Sequence, residues 1–311
     1  MNFLHRFVIV GTLAFVLCGC GGGAMSAGIP GVNPPVSGSV PQVAHVLLLV
    51  EENHSYNSVV GSASMPYFNQ LASQYALATE YFADAHPSLP NYFMLTTGQT
   101  LATSDSYSAT VTQDNVVRAL TAAGKSWRYY GESLPSAGYT GGDSGSYSKQ
   151  HDPFAYFSEV LSDSSQANNL VPFAQFSSDL ENDALPDYAF IVPDLTDDAH
   201  NCPAGESTCT DEQKLAAADQ WLQANLDPFV KSSAFASSLL IITFDEGGVD
   251  DNAHGGGQVA TLIVSPKAKA GYRSSTFYEH AGTLRLSMKA AGVTDFPGAA
   301  ASAPDMGEFF Q

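Results

Sequence analysis

Basic side chains are scarce in this chain: 12 Lys and Arg stand against 31 Asp and Glu among 311 residues, a net charge of −19. A surface of that sign repels nucleic-acid backbones and anionic lipid headgroups, which excludes both as bulk partners. An anionic substrate needs a local reversal of sign, and a bound metal cation is the simplest source of one. Long apolar runs are missing too. The N-terminal run, residues 7–17, falls short of the ~20 residues that a membrane-spanning helix needs. Internal repeats are absent, and cysteine is sparse, with four in the chain.

What stands at the N-terminus reads as an export signal. In "MNFLHRFVIVGTLAFVLCGC" Arg6 precedes the apolar run and small residues follow it. "LCGC" resembles a bacterial lipobox, with residues 1–19 removed and Cys20 lipidated. Cys18 is unusual at its position there, and ordinary secretion is the alternative. Residues 20–43 are rich in Gly, Pro and Ser and read as a flexible tether. Membrane contact is then expected only through the anchor, on an exported, periplasmic, outer-membrane or secreted protein. Cys202 and Cys209 remain as a pair across "CPAGESTC", a loop suited to a disulfide in an oxidising compartment, the alternative being two free thiols.

Residues 44–311 read as one domain. Apolar runs of strand length lie at 44–53, 126–131, 187–192, 238–244 and 259–264, and helical patterns at 65–76, 88–97, 115–123, 211–230 and 276–291. Alternation of this kind predicts an α/β sandwich around a mostly parallel sheet. Active sites in open α/β sheets lie beyond the carboxyl ends of the strands. Three strands here end in acids: "VEEN" at 50–53, "VPDLTDDAH" at 192–200 and "TFDEGG" at 243–248. Loop solvation explains one such set; three of them point to a metal site.

Glu52, Asn53, Asp245 and Glu246 are the oxygen donors that a hard divalent cation prefers. His200, His254 and His280 arrive from other loops as nitrogen donors or acids. Ser88, in "HPSLPNYFMLTTG", opens a helical pattern with Pro90 in its first turn, where a missing N–H costs nothing. A cation beside this serine would generate an alkoxide near neutral pH, and a helix N-terminus favours a phosphoryl anion. Ser88 is therefore read as a nucleophile, against the plainer reading of a helix cap. "GDSGS" at 142–146 lacks the β-barrel pattern of a serine protease. "SLPNY" lacks the arginine of the sulfatase modification motif.

The ordered series "EENHSY", "HPSLPNYFMLTTG", "HDPFAYF", "VPDLTDDAHNC", "IITFDEGG", "HGGGQVATLIVSP" and "FYEHAGTLRL" resembles the bacterial phosphoesterase family of acid phosphatases and phospholipases C. That family lies within the alkaline phosphatase superfamily, and the resemblance covers roughly residues 44–295. It implies an alkaline-phosphatase-like three-layer sandwich. It also implies one divalent metal held by Glu52, Asn53, Ser88, Asp245 and Glu246. His200 or His254 is expected to protonate the leaving group, with Asn91, His151, Asp198 and His280 around the phosphate. "HDPF" places Asp152 where the family often has an amide. "DDAH" does not reproduce the Asp-x-x-x-His pair of two-metal relatives, so a second metal is left open.

The implied activity is that of a metal-dependent phosphomonoesterase of acid phosphatase type working through a phosphoserine. Small phosphate esters or phospholipid headgroups, phosphoinositides included, are its expected substrates. A phospholipase C-type diesterase is the alternative, and a non-enzymatic lipid-anchored binding protein a remote one. Nearby carboxylates are expected to raise the histidine pKa values and give an acidic to near-neutral optimum.

Overall fold

Unbroken apolar runs form the middle of the sheet because only a strand covered on both faces can hide them. The computed structural model describes residues 38–311; the expected signal segment, Cys20 and most of the expected tether lie outside them. The strands are β1 (His45–Glu51), β2 (Ala76–Phe82), β3 (Trp127–Gly131), β4 (Leu170–Pro172), β5 (Tyr188–Val192), β6 (Ser238–Phe244), β7 (Thr261–Val264) and β8 (Arg273–Glu279). They form one 8-stranded sheet in the order β4-β3-β5-β1-β6-β7-β2-β8. β7 alone runs antiparallel to its neighbours. β1 is central, with Leu47 paired to Ala189 on one side and Leu240 on the other. Val46 to Val50 are wholly buried, each contributing about 1.5–3 kcal/mol by its removal from water.

Helices cover both faces, completing the expected three-layer sandwich. Pro66–Gln74 and Asp211–Val230 pack together on one face, and Ser88–Thr97, Val116–Ala122 and His280–Ala290 on the other. Asp219 accepts hydrogen bonds from the N–H groups of Tyr67 and Phe68, both at 2.8 Å. It thereby satisfies donors that the first turn of Pro66–Gln74 would leave bare.

Some expectations are corrected. The pattern at 276–291 splits into β8 and the helix His280–Ala290. β2 follows a helix pattern almost without interruption and becomes a strand through pairing with β7 and β8, both distant in sequence. Of the expected tether, residues 38–43 pack on the folded body: Val43 N–H donates to the Ala290 carbonyl at 2.9 Å.

The carboxyl ends of β1, β2, β3, β5 and β6 bring Glu51 and Glu52, Asp84, Glu132, Asp194 to Asp198, and Asp245 and Glu246 to one side of the molecule. Asn53, Ser133, Ala199 and His254, in loops that follow β1, β3, β5 and β6, have left-handed backbone angles between 54° and 71°. Side chains resist that region, so the surrounding loops must hold these residues in place.

Candidate active site

Ser88 is the first residue of the helix Ser88–Thr97 and is 3% exposed. The approach to it is held from two sides. Asn91, one turn on, accepts hydrogen bonds from the N–H groups of Asp84 and Ala85 at 3.0 and 3.1 Å. Its amide donates to the Ala85 carbonyl at 2.8 Å. Asn91 is thus fully used in clamping residues 84–87, and the structure gives it no group to offer a phosphate. The glycines of "HGGGQ" form the other side. Gly256 N–H donates to the Ala83 carbonyl at 3.1 Å, and a Cβ on Gly256 would lie 2.7 Å from that of Ala83. Only glycine permits this approach. At the far end Gly98, at φ 67°, closes the helix in the left-handed conformation.

Ser88 Oγ donates to Glu52 Oε2 at 3.0 Å, and Tyr92, one turn further, donates to Glu52 Oε1 at 2.6 Å. The Tyr92 ring stacks on His151 with centroids 5.2 Å apart and planes at 11°. His151 Nε2 lies 3.4 Å from Glu52 Oε1, and Nδ1 lies 3.5 Å from Asp198 Oδ2. Asp245, at the end of β6, accepts the Asn53 and Glu246 N–H groups on Oδ1 at 3.0 and 2.6 Å. Ser88, Glu52, His151, Asp198 and Asp245 therefore converge, all nearly or wholly buried.

Burial dominates the electrostatics. Glu52, Asp198 and Asp245 are all raised from the usual carboxylate range, first by desolvation; mutual repulsion raises Glu52 and Asp198 further. His151 is pushed down to about 4 by burial, the surrounding acids opposing this only in part. The expectation that carboxylates would raise the histidines is thus overturned for His151, because desolvation of the imidazolium exceeds the attraction. His280 is likewise pushed down to about 4 by burial.

The other expected residues stand apart to different degrees. Asn53 donates its side-chain amide to Glu52 Oε2 at 2.6 Å. Glu246 turns to His86, whose Nδ1 is 2.9 Å from Glu246 Oε2 and whose Nε2 is 2.9 Å from the Asp251 carbonyl. Burial and Asp245 push Glu246 up to about 9. His200, half-buried, has its ring centroid 6.0 Å from that of His151. His254 is exposed and lies against Phe82 and Phe277, at centroid distances of 4.3 and 4.8 Å. His280 is wholly buried: Nε2 donates to the Asp245 carbonyl at 2.6 Å, and Nδ1 lies 3.0 Å from the Tyr81 hydroxyl. It supports the chain under Asp245, and neither nitrogen faces a phosphate.

Two residues were missed in the sequence. Tyr92 enters there only as the residue in place of the sulfatase arginine, and its hydroxyl carries no pattern. Asp105 lies in the exposed-looking "TSDSYS" loop, yet its Oδ1 accepts the Leu89 N–H at 3.0 Å. A carboxylate thus already satisfies a first-turn donor expected to face substrate. Cys202 and Cys209 are joined in a disulfide, as the spacing suggested. "GDSGS" is mostly exposed loop.

The residues fit a divalent cation. Asp245 Oδ2, Asp198 Oδ2 and His151 Nε2 are buried without a hydrogen-bond partner. Donor atoms of Glu52, His151 and Asp198 lie within 4.8 Å of one another. Buried carboxylates so close together need a positive charge or protons between them. The geometry gathers Glu52, Ser88 and Asp245 from the expected ligand set and adds His151 and Asp198 to them.

A family model described as the Phosphoesterase family matches residues 62–294, beginning after Glu52 and Asn53. A phosphatidylinositol-3-phosphatase of Mycobacterium tuberculosis is 29% identical over 88% of this chain and 83% of that protein. A probable acid phosphatase of Kluyveromyces lactis is 29% identical over 75% of this chain and 54% of its own. A phosphate-repressible acid phosphatase of Penicillium chrysogenum is 30% identical over 68% and 51%. The chain thus matches about half the length of these fungal relatives. Among solved structures, an alkaline phosphatase superfamily protein of Vibrio parahaemolyticus aligns with a TM-score of 0.59 at 14% identity, over 88% of this chain and 73% of that one. The lipoteichoic acid synthase LtaP of Listeria monocytogenes aligns at 0.59 with 10% identity, over 88% and 76%. At such identities the likeness is one of fold.

Proposed function

Because the chain belongs to the Phosphoesterase family and is a phosphoric ester hydrolase, we propose that it is an exported, metal-dependent phosphomonoesterase with Ser88 as nucleophile. The observation that carries this reading is the Ser88 hydroxyl, at a helix N-terminus, bonded to Glu52 beside buried carboxylate oxygens that have no partner.

Glu52, Asp245, Asp198 and His151 would hold the cation beside Ser88, with Asn53 and Glu246 completing the family's expected set. A cation bound there supplies the charge that acidifies the serine hydroxyl and neutralises the phosphoryl oxygens. Ser88 donates its proton toward Glu52, which leaves the oxygen lone pairs free to attack phosphorus in line. His151, uncharged above about pH 4, serves as a neutral donor. His200, standing at the edge of the cluster, protonates the departing alkoxide and then takes a proton from the water that cleaves the phosphoserine. His254, beside Phe82 and Phe277, is less well placed for that transfer.

The Mycobacterium relative's name suggests phosphoinositide monoesters among the substrates. The disulfide and the N-terminal signal pattern support export. Matched chromogenic monoester and diester substrates, assayed across pH with a divalent metal series, test the reading. The monoester is expected to be the faster substrate, with activity only when metal is present. A diester preferred at every pH favours the phospholipase C-type alternative.

A further inference from the structure

On the face of the sheet turned away from Ser88, carboxylates again crowd together. Glu51 and Glu52 are consecutive at the end of β1, so their side chains point to opposite faces. Glu52 meets Tyr92. Glu51 faces the layer of the helix Asp211–Val230, and Asp219 of that helix is among the charges acting on it. Glu51 is 0% exposed, and neither of its carboxylate oxygens has a hydrogen-bond partner.

The largest charge acting on Glu51 is Asp198, which stands between the two clusters, followed by Asp197 and Glu132, with Asp219 the weakest. Glu132, Asp194 and Asp197 each present an oxygen within 4.8 Å of the others. These residues follow β3 and β5 and are tied together: Glu132 Oε2 accepts the Asp194 N–H at 3.0 Å, and Ser133 Oγ donates to Asp194 Oδ2 at 2.6 Å. The charges acting most strongly on Glu51, Glu132 and Asp197 are all carboxylates. An orphaned, fully buried acid that feels two members of a converging acidic trio is a costly arrangement unless a cation enters it.

We propose that Glu132, Asp194 and Asp197, closed from the sheet side by Glu51, form a second cation site, separate from the one at Ser88. Its oxygen-only donors suit a hard divalent ion such as calcium. The site is structural: it joins the loops after β3 and β5 and holds the segment 193–200. That segment carries Asp198 and His200 to the catalytic side and is pinned to β1 where Glu52 N–H donates to the Asp198 carbonyl at 2.9 Å.

Calorimetric titration of the full chain with calcium chloride tests this, using Asp245→Asn to weaken the catalytic site. In that background one equivalent is expected to bind, raising the melting midpoint by about 5 °C at a hundredfold excess over Kd. Adding Asp197→Asn or Glu132→Gln should abolish both the binding and the rise. Terbium locates the ion without removing a ligand. Trp221 lies beside Glu132, so tryptophan-sensitised terbium emission should fall several-fold in Trp221→Phe. Loss of all calcium binding on Asp245→Asn overturns the proposal. So does binding that survives both added substitutions, or terbium emission indifferent to Trp221.

Discussion

Tyr92 donates its hydroxyl to Glu52 Oε1 at 2.6 Å while its ring lies flat on His151. One core residue thus orients both a carboxylate and an imidazole of the site. Tyr92→Phe keeps the stack and removes only the hydrogen bond, leaving a buried acid short of a donor. The expected cost is about 1–3 kcal/mol of stability, with kcat/KM down roughly tenfold and a higher cation requirement. An unchanged metal dependence would show that Tyr92 serves packing alone.

Ser88→Ala removes the nucleophile and little else, since the hydroxyl's partner is Glu52. Turnover should fall by orders of magnitude with the melting midpoint nearly unchanged. Retention of more than about a tenth of the wild-type rate would remove Ser88 from that role.

Chelation should abolish activity, and added divalent metal should restore it. Asp245→Asn removes the charge of a carboxylate whose own Oδ2 has no hydrogen-bond partner and should raise the metal concentration for half-maximal rate by tenfold or more, an effect of about 1.4 kcal/mol. Full activity in a demonstrably metal-free preparation would sink the mechanism.

Asp105 places a carboxylate on the first turn of the Ser88 helix, at 3.0 Å from Leu89 N. Asp105→Asn keeps an oxygen acceptor for that N–H and deletes the charge. KM for an anionic monoester should fall several-fold at low salt, and the gain should shrink as salt screens it. Equal KM values in the two proteins at low ionic strength would show that this charge does not reach the substrate.

Asp152 is wholly buried and pushed up to about 7 by that burial, although Ala155 N–H and the Tyr147 hydroxyl both donate to it. Its folded pKa lies above the unfolded value of 3.8. The folded state therefore binds the extra proton, and stability is lost as pH rises between those two values. Asp152→Asn mimics the protonated acid. It should match wild type near pH 4 and exceed it by up to about 4 kcal/mol above pH 7. Melting curves of both proteins across that range decide it; a constant difference would mean that Asp152 does not titrate there.

The motifs legible in the sequence were those whose chemistry is local. "HVLLLVE" and "SLLIITF" read as buried strands because their composition leaves no exposed face, and both are central in the sheet. The acids that end them marked the functional edge, and "SLPNYFMLTT" announced a helix opening on Ser88. Ligand types and a candidate nucleophile could thus be named from residue identity and position alone. Other assignments depended on partners far away in the chain. β2 and β8 became strands by pairing across nearly 200 residues. His280 and Asn91 look like phosphate ligands in a motif, but their polar atoms are spent on Asp245, Tyr81 and residues 84–87. The tertiary structure alone decided which way His151 titrates. The acids gathered around it, Asp245, Asp105 and Asp143, favour the charged form, but the protein packed around it removes the water that would solvate that charge.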